Sequence, residues 1–236
     1  MRQNGRMPSP TTATRRGRPP KGAGQLTRAG IVGATLRVIG GDGIGAVGIR
    51  AVARELGVDP KSLYNYVEGK DGLLDAVAEH LLGSIEIPTR TGDLRADLRA
   101  VAAAFRDTAL AHPDAAALVL TRQLASAQGL APIQAVLEIL LDAGCDPGEA
   151  VHLTRTMVAT LIGTLLREVN AGPTFGISDL AGIAARQETL VQSGLPALVA
   201  TAPHLARFDS RAEFDYAMDL TLDAVVARIE GSAGIR

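Results

Sequence analysis

Residues 48–67 read Gly48-Ile49-Arg50-Ala51-Val52-Ala53-Arg54-Glu55-Leu56-Gly57-Val58-Asp59-Pro60-Lys61-Ser62-Leu63-Tyr64-Asn65-Tyr66-Val67, and their punctuation decides the fold. Ile49, Val52, Ala53 and Leu56 recur at i, i+3, i+4 and i+7, the spacing of one face of a short amphipathic helix. Gly57 can end that helix in the left-handed region, with Val58 plugging the core behind the turn. Asp59 is placed to cap a second short helix over 60–66. Leu63 and Val67 lie four residues apart and pack inward, so Lys61, Ser62, Asn65 and Tyr66 project from other faces.

Working outward, Thr27 can cap a preceding helix that runs to about Ile39 with Ile31, Ala34, Thr35 and Val38 on one face. The glycines at 40, 41, 43 and 45, with Asp42, are expected to stop it. Lys70 and Asp71 open a longer helix over 70–84 that buries Leu73, Leu74, Val77, Ala78, Leu81 and Leu82. Further helices are predicted near 93–111, 114–127, 130–143, 147–171, 179–193 and 211–230, with breaks at Pro113, Gly129, Gly144, Gly172-Pro173 and Pro203. Segment 195–208 reads equally as short helix or loop. No strand alternation or repeat is visible, so the fold class is all-α: an N-terminal three-helix unit followed by a larger helical bundle.

Composition bounds the function. The chain has 236 residues, 47% of them hydrophobic, and can bury a sizeable core. Its single cysteine, Cys145, permits no internal disulfide or cysteine-based zinc site and reads as a small buried hydrophobe. Every candidate membrane span of about 18 residues is interrupted, and no apolar segment follows the basic N-terminus as in a secretory signal. A cytoplasmic protein without membrane contact is expected. The formal net charge of −1 conceals a split. Residues 1–70 carry 12 Lys and Arg against four acids, a balance of +8, whereas 71–236 carry 12 against 21, or −9. That asymmetry suits a polyanion-binding N-terminal part on a body that avoids nucleic acid.

The outward set on 60–66 has the chemistry of DNA readout: a cation for phosphate, a hydroxyl, a carboxamide able to pair with adenine, and an aromatic ring. Two short helices joined by a tight turn form a helix-turn-helix, whose second helix must be presentable to a major groove about 12 Å wide. Arg50 and Arg54 can approach the flanking backbone, and Lys70 adds a phosphate contact beside the amides of its own helix. An ordinary helical hairpin with a polar outer face would show the same spacing. Residues 1–24 lack hydrophobic periodicity and read as a disordered basic arm. Within it, Arg15-Arg16-Gly17-Arg18-Pro19-Pro20-Lys21 resembles an AT-hook, whose guanidinium groups enter a narrow A·T-rich minor groove. A flexible tail touching only phosphates is the alternative.

The run from Leu26 to Leu82 resembles the N-terminal domain of the tetracycline-repressor (TetR) family of bacterial regulators. The resemblance is carried by Ile49 to Val58, by Ser62-Leu63-Tyr64-Asn65-Tyr66-Val67 and by Lys70-Asp71-Gly72-Leu73-Leu74-Asp75-Ala76. It implies that Arg50, Ser62, Tyr64, Tyr66 and Lys70 contact or position phosphates, and that Pro60, Lys61 and Asn65 face bases. Gly48 departs from the pattern, since the family has Ser or Thr there; the hydroxyl contact is missing and the backbone amides remain.

Residues 85–236 resemble the family's ligand-binding and dimerisation domain. Ala109-Leu110-Ala111-His112-Pro113, the helix end from Leu137 to Ala143-Gly144, and Leu161-Ile162-Gly163-Thr164-Leu165 are similar to the branch containing the tetracycline repressor. The family's four-helix dimer interface would fall on 147–171 and 211–230. Two heptad-like stripes fit it, Val151/Thr154/Val158/Leu161/Leu165 and Phe214/Met218/Thr221/Val225/Ile229; plain core would give the same stripes.

A small-molecule pocket is expected where Thr160 and Thr164, beside Thr156 and Gly163, face an apolar wall of Phe105, Leu118, Leu137 and Met157. Small residues serving close helix packing are the alternative. His112 and His152 could face a ligand, yet the His and Thr set that holds a magnesium–drug chelate in the family's tetracycline repressors is not visible. No metal or cofactor is therefore expected. No P-loop, dinucleotide fingerprint, zinc-protease motif or defensible Ser/His/Asp set points to an enzyme. The expected function is a ligand-responsive repressor that binds a near-palindromic double-stranded DNA operator as a homodimer. An activator of the same fold, or an architectural DNA-binding protein, is the alternative.

Overall fold

The computed structural model describes residues 26–121, 129–169 and 180–233, and these are helical with no strand among them. Three helices, α1 (Arg28–Asp42), α2 (Ile49–Leu56) and α3 (Pro60–Leu63), form the N-terminal unit, with a 3₁₀ turn at Ile44–Ala46. The long α4 (Gly69–Gly83) leads to α5 (Leu94–Ala111), α6 (Pro113–Thr121), α7 (Ala131–Asp142) and α8 (Pro147–Val169). The remainder is α9 (Leu180–Gln192), α10 (Pro196–Leu205) and α11 (Ser210–Ala233).

The helix boundaries follow local chemistry. Thr27 Oγ1 accepts the Gly30 amide at 3.0 Å and opens α1 as expected. The helix nevertheless continues through Gly40 and Gly41 and ends only at Gly43, where φ is +78°. Glycine inside a helix weakens it without ending it; the residue that turns to positive φ does. Pro203 corrects a second expectation, because it lies inside α10 and breaks nothing. The carbonyl that its missing N–H leaves unmatched belongs to exposed Val199, within reach of water. The ambiguous 195–208 segment is thus mostly helix, with Pro196 at its first position.

Four apolar clusters hold the molecule. The first joins α1 to α4 through Ile31, Ile39, Val52, Leu63, Leu73 and Val77, and it also takes Ala115 and Leu118 from α6. The second gathers α5, α7, α8 and α11 around Leu98, Leu140, Met157 and Leu222, with half-buried Cys145 at its margin. Burial raises the Cys145 thiol pKa, so it stays protonated at neutral pH and behaves as a small hydrophobe. The third packs Phe105, Leu161, Leu165, Phe214 and Met218. The fourth is small and joins α9 to α10 through Leu190, Ala202 and Ala206.

Charge organises what the apolar clusters leave. Arg95 and Arg99 of α5 pair with Asp215, Asp219 and Asp223 along α11. Arg106, almost buried, pairs with Glu168 and lies over the Phe214 ring at 5.1 Å. At the entry to α5, buried Asp97 accepts from the Thr91 amide and hydroxyl, both at 2.7 Å, and from the Gly92 amide at 3.1 Å. Those bonds, the Thr91 amide foremost, hold its carboxyl below the ordinary carboxylate range.

Candidate nucleic-acid interface

The turn between α2 and α3 closes as its sequence requires. Gly57 adopts φ +66°, its amide donates to the Ala53 and Arg54 carbonyls, and the Val58 amide reaches Ala53 O at 3.0 Å. Asp59 then caps α3, its Oδ1 accepting the Lys61 amide at 2.8 Å, with Pro60 in the first turn. α3 proper is shorter than the expected 60–66. It spans Pro60–Leu63, and residues 64–66 form a tighter turn in which the Tyr66 amide bonds Leu63 O at 2.9 Å.

Burial on this segment is all-or-none. Leu63 is 0% exposed and Val67 6%, and both seat in the first cluster as predicted. Tyr64 is 62% exposed and Tyr66 40%. Pro60, Lys61, Asn65 and Arg50 are exposed, and Ser62 is half-buried. An aromatic ring left in water on a folded surface loses the favourable transfer it would gain by burial, and here two stand within three residues.

Two predicted contacts carry an additional structural duty. The Tyr66 hydroxyl donates to the Leu26 carbonyl at 2.8 Å, tying the start of α1 to the end of the α3 turn. Lys70 Nζ donates to Gly45 O at 3.1 Å and clamps the 3₁₀ turn against the start of α4. Sequence spacing missed both, because each bond spans 25 residues or more. It missed equally the ion pairs Arg37–Glu55 and Arg28–Glu79, which brace α1 against α2 and α4. Arg16 and Arg18 lie outside the described residues.

Electrostatically the face is built to receive anions. Gly48, the N-cap of α2, and Glu68, the N-cap of α4, make no side-chain capping bond, which leaves first-turn amides available to an acceptor. Arg50, Arg54 and Lys61 are exposed around them. Gly48 has an extended φ of −176°, and a Cβ there would meet nothing within 4 Å.

The residues expected to line a pocket are distributed over the packed clusters. Phe105 belongs to the third, Leu118 to the first beside α4, and Leu137 and Met157 to the second. Thr164 Oγ1 bonds the Thr160 carbonyl at 3.0 Å, and Thr160 Oγ1 accepts from Thr221 at 3.3 Å, joining α8 to α11. A shallow depression between the 87–90 loop, α5 and α7, bounded by Ile87, Arg90, Asp97 and Glu138, contains none of the six. Residues 122–128 and 170–179, next to α6 and α8 in the chain, lie outside the described residues. No group of three or more His, Cys, Asp or Glu able to hold a metal ion occurs among the described residues.

The two stripes considered for a dimer interface are mostly interior. Thr154, Leu161 and Leu165 of α8 and Phe214, Met218 and Val225 of α11 are all buried within one chain, and Leu161 and Leu165 share a cluster with Phe214 and Met218. The outer faces carry His152, Thr156, Ala159 and Gly163 on α8, and Tyr216, Leu220, Ala224 and Ala227 on α11. A Cβ at Gly163 would meet nothing within 4 Å among the described residues.

Comparison with known proteins bears on both halves of the chain. The family described as "Bacterial regulatory proteins, tetR family" matches residues 31–77, and "Tetracyclin repressor-like, C-terminal domain" matches 88–229. An HTH-type transcriptional regulator of Saccharopolyspora erythraea is 32% identical over 144 residues, covering 61% of each chain. The class A tetracycline repressor from transposon 1721 in Escherichia coli is 30% identical over 141 residues, 58% of this chain and 65% of that one. The matched part thus spans about three fifths of the length of these curated relatives. Apo ActR from Streptomyces coelicolor superposes with a TM-score of 0.77 at 21% identity, over 89% of this chain and 99% of that one. A possible TetR family regulator from the same species gives 0.71 at 26% identity, over 85% and 99%.

Proposed function

Because this chain belongs to the tetR family of bacterial regulatory proteins, we propose that it is a ligand-responsive, DNA-binding transcriptional repressor that acts as a homodimer in the cytoplasm. One observation carries the DNA reading: α3 and the tight turn after it, anchored by fully buried Leu63, leave Lys61, Tyr64, Asn65 and Tyr66 exposed, and α2 and α4 on either side in the chain begin without a side-chain cap. Lys61 and Asn65, with Pro60, would face base edges in the major groove. Arg50, Ser62, Tyr64, Tyr66 and Lys70 would hold the flanking phosphates and set the register. Among the described residues no helix is long and apolar enough to cross a membrane.

The proposed division of labour has a basic arm at 1–24, a reading unit at 25–70, a connecting helix at 70–84 and a bundle at 85–236. Packing supports a mechanical link between the last two. Leu118 and Ala115 of α6 are buried in the N-terminal cluster while Ala116 sits in the third cluster of the bundle. An effector bound among α5, α6, α7 and α8, where Phe105, Leu118, Leu137, Met157, Thr160 and Thr164 reside, would act on α4 through that helix. It would release DNA only to the extent that it binds the two arrangements with different affinity. Relatives of the same fold were solved with ligands, ActR with actinorhodin and an Acinetobacter baumannii TetR variant with minocycline, which supports a small organic effector here.

The homodimer would bring together the outer faces of α8 and α11. Small Ala159, Gly163, Ala224 and Ala227 favour close helix approach, and exposed Tyr216 and Leu220 supply apolar area. Two reading units would then lie about one helical turn apart on a near-palindromic site. Selection of duplexes from a random library tests the reading. Enrichment of a two-fold symmetric sequence is expected, and Tyr64→Ala should lower affinity for it at least tenfold with the helical fold retained. Unchanged affinity would remove the assignment.

A further inference from the structure

We infer that the linker between α4 and α5 straps the reading unit to the bundle through Asp97, Thr91 and Arg90, and that this strap fixes which spacing between half-sites the dimer accepts. The inference rests on the DNA reading of residues 48–67 and adds a spacing specificity set by side chains outside the reading unit.

The linker, residues 84–93, is laid down on the bundle. Ser84 closes α4, its amide donating to the His80 carbonyl at 2.9 Å, and Ile85 is buried. Residues 87–90 then share a depression with Val101 of α5 and Ile139 of α7. Arg90 donates to Asp142, at the end of α7, at 2.6 Å and lies 3.9 Å from buried Asp97. Asp97 in turn accepts from the Thr91 amide and hydroxyl and from the Gly92 amide. Gly92 turns at φ +87° into Asp93, which caps α5. Hydrogen bonds to an ionised acceptor are about twice as strong as neutral ones, so Asp97 is the principal anchor. The exposed Arg90–Asp142 pair adds a smaller share.

This anchor matters because the reading unit has one other attachment. α6 packs against both α1 and α4, with Ala115 and Leu118 inside the N-terminal cluster. A single attachment at α6 would let α4 rock over it; a second tie, just past the C-terminal end of α4, takes that rotation away. α4 is 15 residues long, about 22 Å at 1.5 Å per residue. A tilt of about 10° would carry its far end about 4 Å, more than the ~3.4 Å step between base pairs. In a dimer the tilts of the two subunits add. Intact straps therefore hold the reading units to one spacing, and loosened straps would admit its neighbours.

The test uses the full chain and duplexes that carry the two selected half-sites at the selected spacing, or with one base pair inserted or removed between them. A duplex with a single half-site is the control. One inserted base pair moves a half-site about 3.4 Å and turns it about 35° around the axis. The parent chain should lose at least about tenfold in affinity at either altered spacing. Asp97→Ala should shrink that loss to about threefold or less, with affinity for the single half-site within about twofold of the parent. Arg90→Ala removes only an exposed ion pair, so the fold is kept, and it should shrink the loss part of the way. Three results would overturn the inference: the parent binding all spacings alike, every folded variant keeping the parental discrimination, or the variants weakening equally at every spacing and at the single half-site. The last is the mark of a purely structural role. Failure of the underlying reading looks different, since no symmetric sequence would then be enriched at all.

Discussion

Two helix pairs, α2/α3 and α8/α11, each turn an outer face toward a proposed partner, yet they differ in how a face is chosen. α2 and α3 are 8 and 4 residues long and bury only Ile49, Val52, Ala53 and Leu63. With so few apolar residues, the inward set is forced, and the outward set of Lys61, Tyr64 and Asn65 follows by subtraction. α8 and α11 are 23 and 24 residues long, and apolar or small residues occur on opposite sides of both. Thr154, Leu161 and Leu165 went inside, leaving Ala159 and Gly163 outside; periodicity alone permits either choice. A short amphipathic element declares its partner, and a long one with apolar or small residues on opposite sides does not.

The sharpest way to break that contrast is at Leu63. Leu63→Ala removes a fully buried side chain and should cost about 2–5 kcal/mol in urea unfolding, with DNA binding lost alongside. Its neighbour Tyr64→Ala should change stability by less than about 0.5 kcal/mol while weakening DNA binding, because its ring is mostly in water. Similar losses of stability at both sites would deny the inside–outside division.

The second prediction addresses α8. Gly163→Glu adds a side chain into open space, so the subunit should stay folded. If the outer faces meet in a dimer, the carboxylates oppose one another and the dimer dissociation constant should rise at least about tenfold in sedimentation experiments. An unaffected dimer would place the interface elsewhere.

Asp97 gives a third, smaller effect with a defined sign. Its carboxyl is held below the ordinary value, so it stabilises the fold above the unfolded pKa of about 3.9, and that contribution is lost as pH falls through the lower folded value. Asp97→Ala should therefore lower Tm at neutral pH, and the gap to the parent should close below about pH 4. A gap independent of pH would mean that packing, not the carboxylate, is responsible.

The smallest effect is expected at Gly48. Gly48→Ser fits the open space and extended backbone at the α2 cap. It should raise stability by about a few tenths of a kcal/mol and tighten DNA binding, since the hydroxyl can cap an amide or meet a phosphate.

Much of this architecture was legible beforehand, for reasons visible in particular residues. Gly57, Asp59 and the Leu63/Val67 pair specified the α2–α3 turn because each acts within five residues of itself. Expected ends for α5, α7 and α11 fell within a few residues of those observed. What escaped was non-local: Tyr66 to Leu26, Lys70 to Gly45, and α6 joining the N-terminal cluster through Leu118. Leu118 and Met157 were expected as walls beside the small and hydroxylated residues of α8, and residue type alone does not show which cluster each of them joins. Likewise Gly40 and Pro203 misled as breakers, because a helix ends where its amides and carbonyls find other partners.

The central claim is that the Lys61–Tyr66 face reads bases, and the base preference of a single variant tests it most directly. Duplex selection with Asn65→Ala beside the parent chain should relax the preference at one base pair, mirrored in the two half-sites, with all other positions kept. An identical selected sequence with the same affinity would contradict the account.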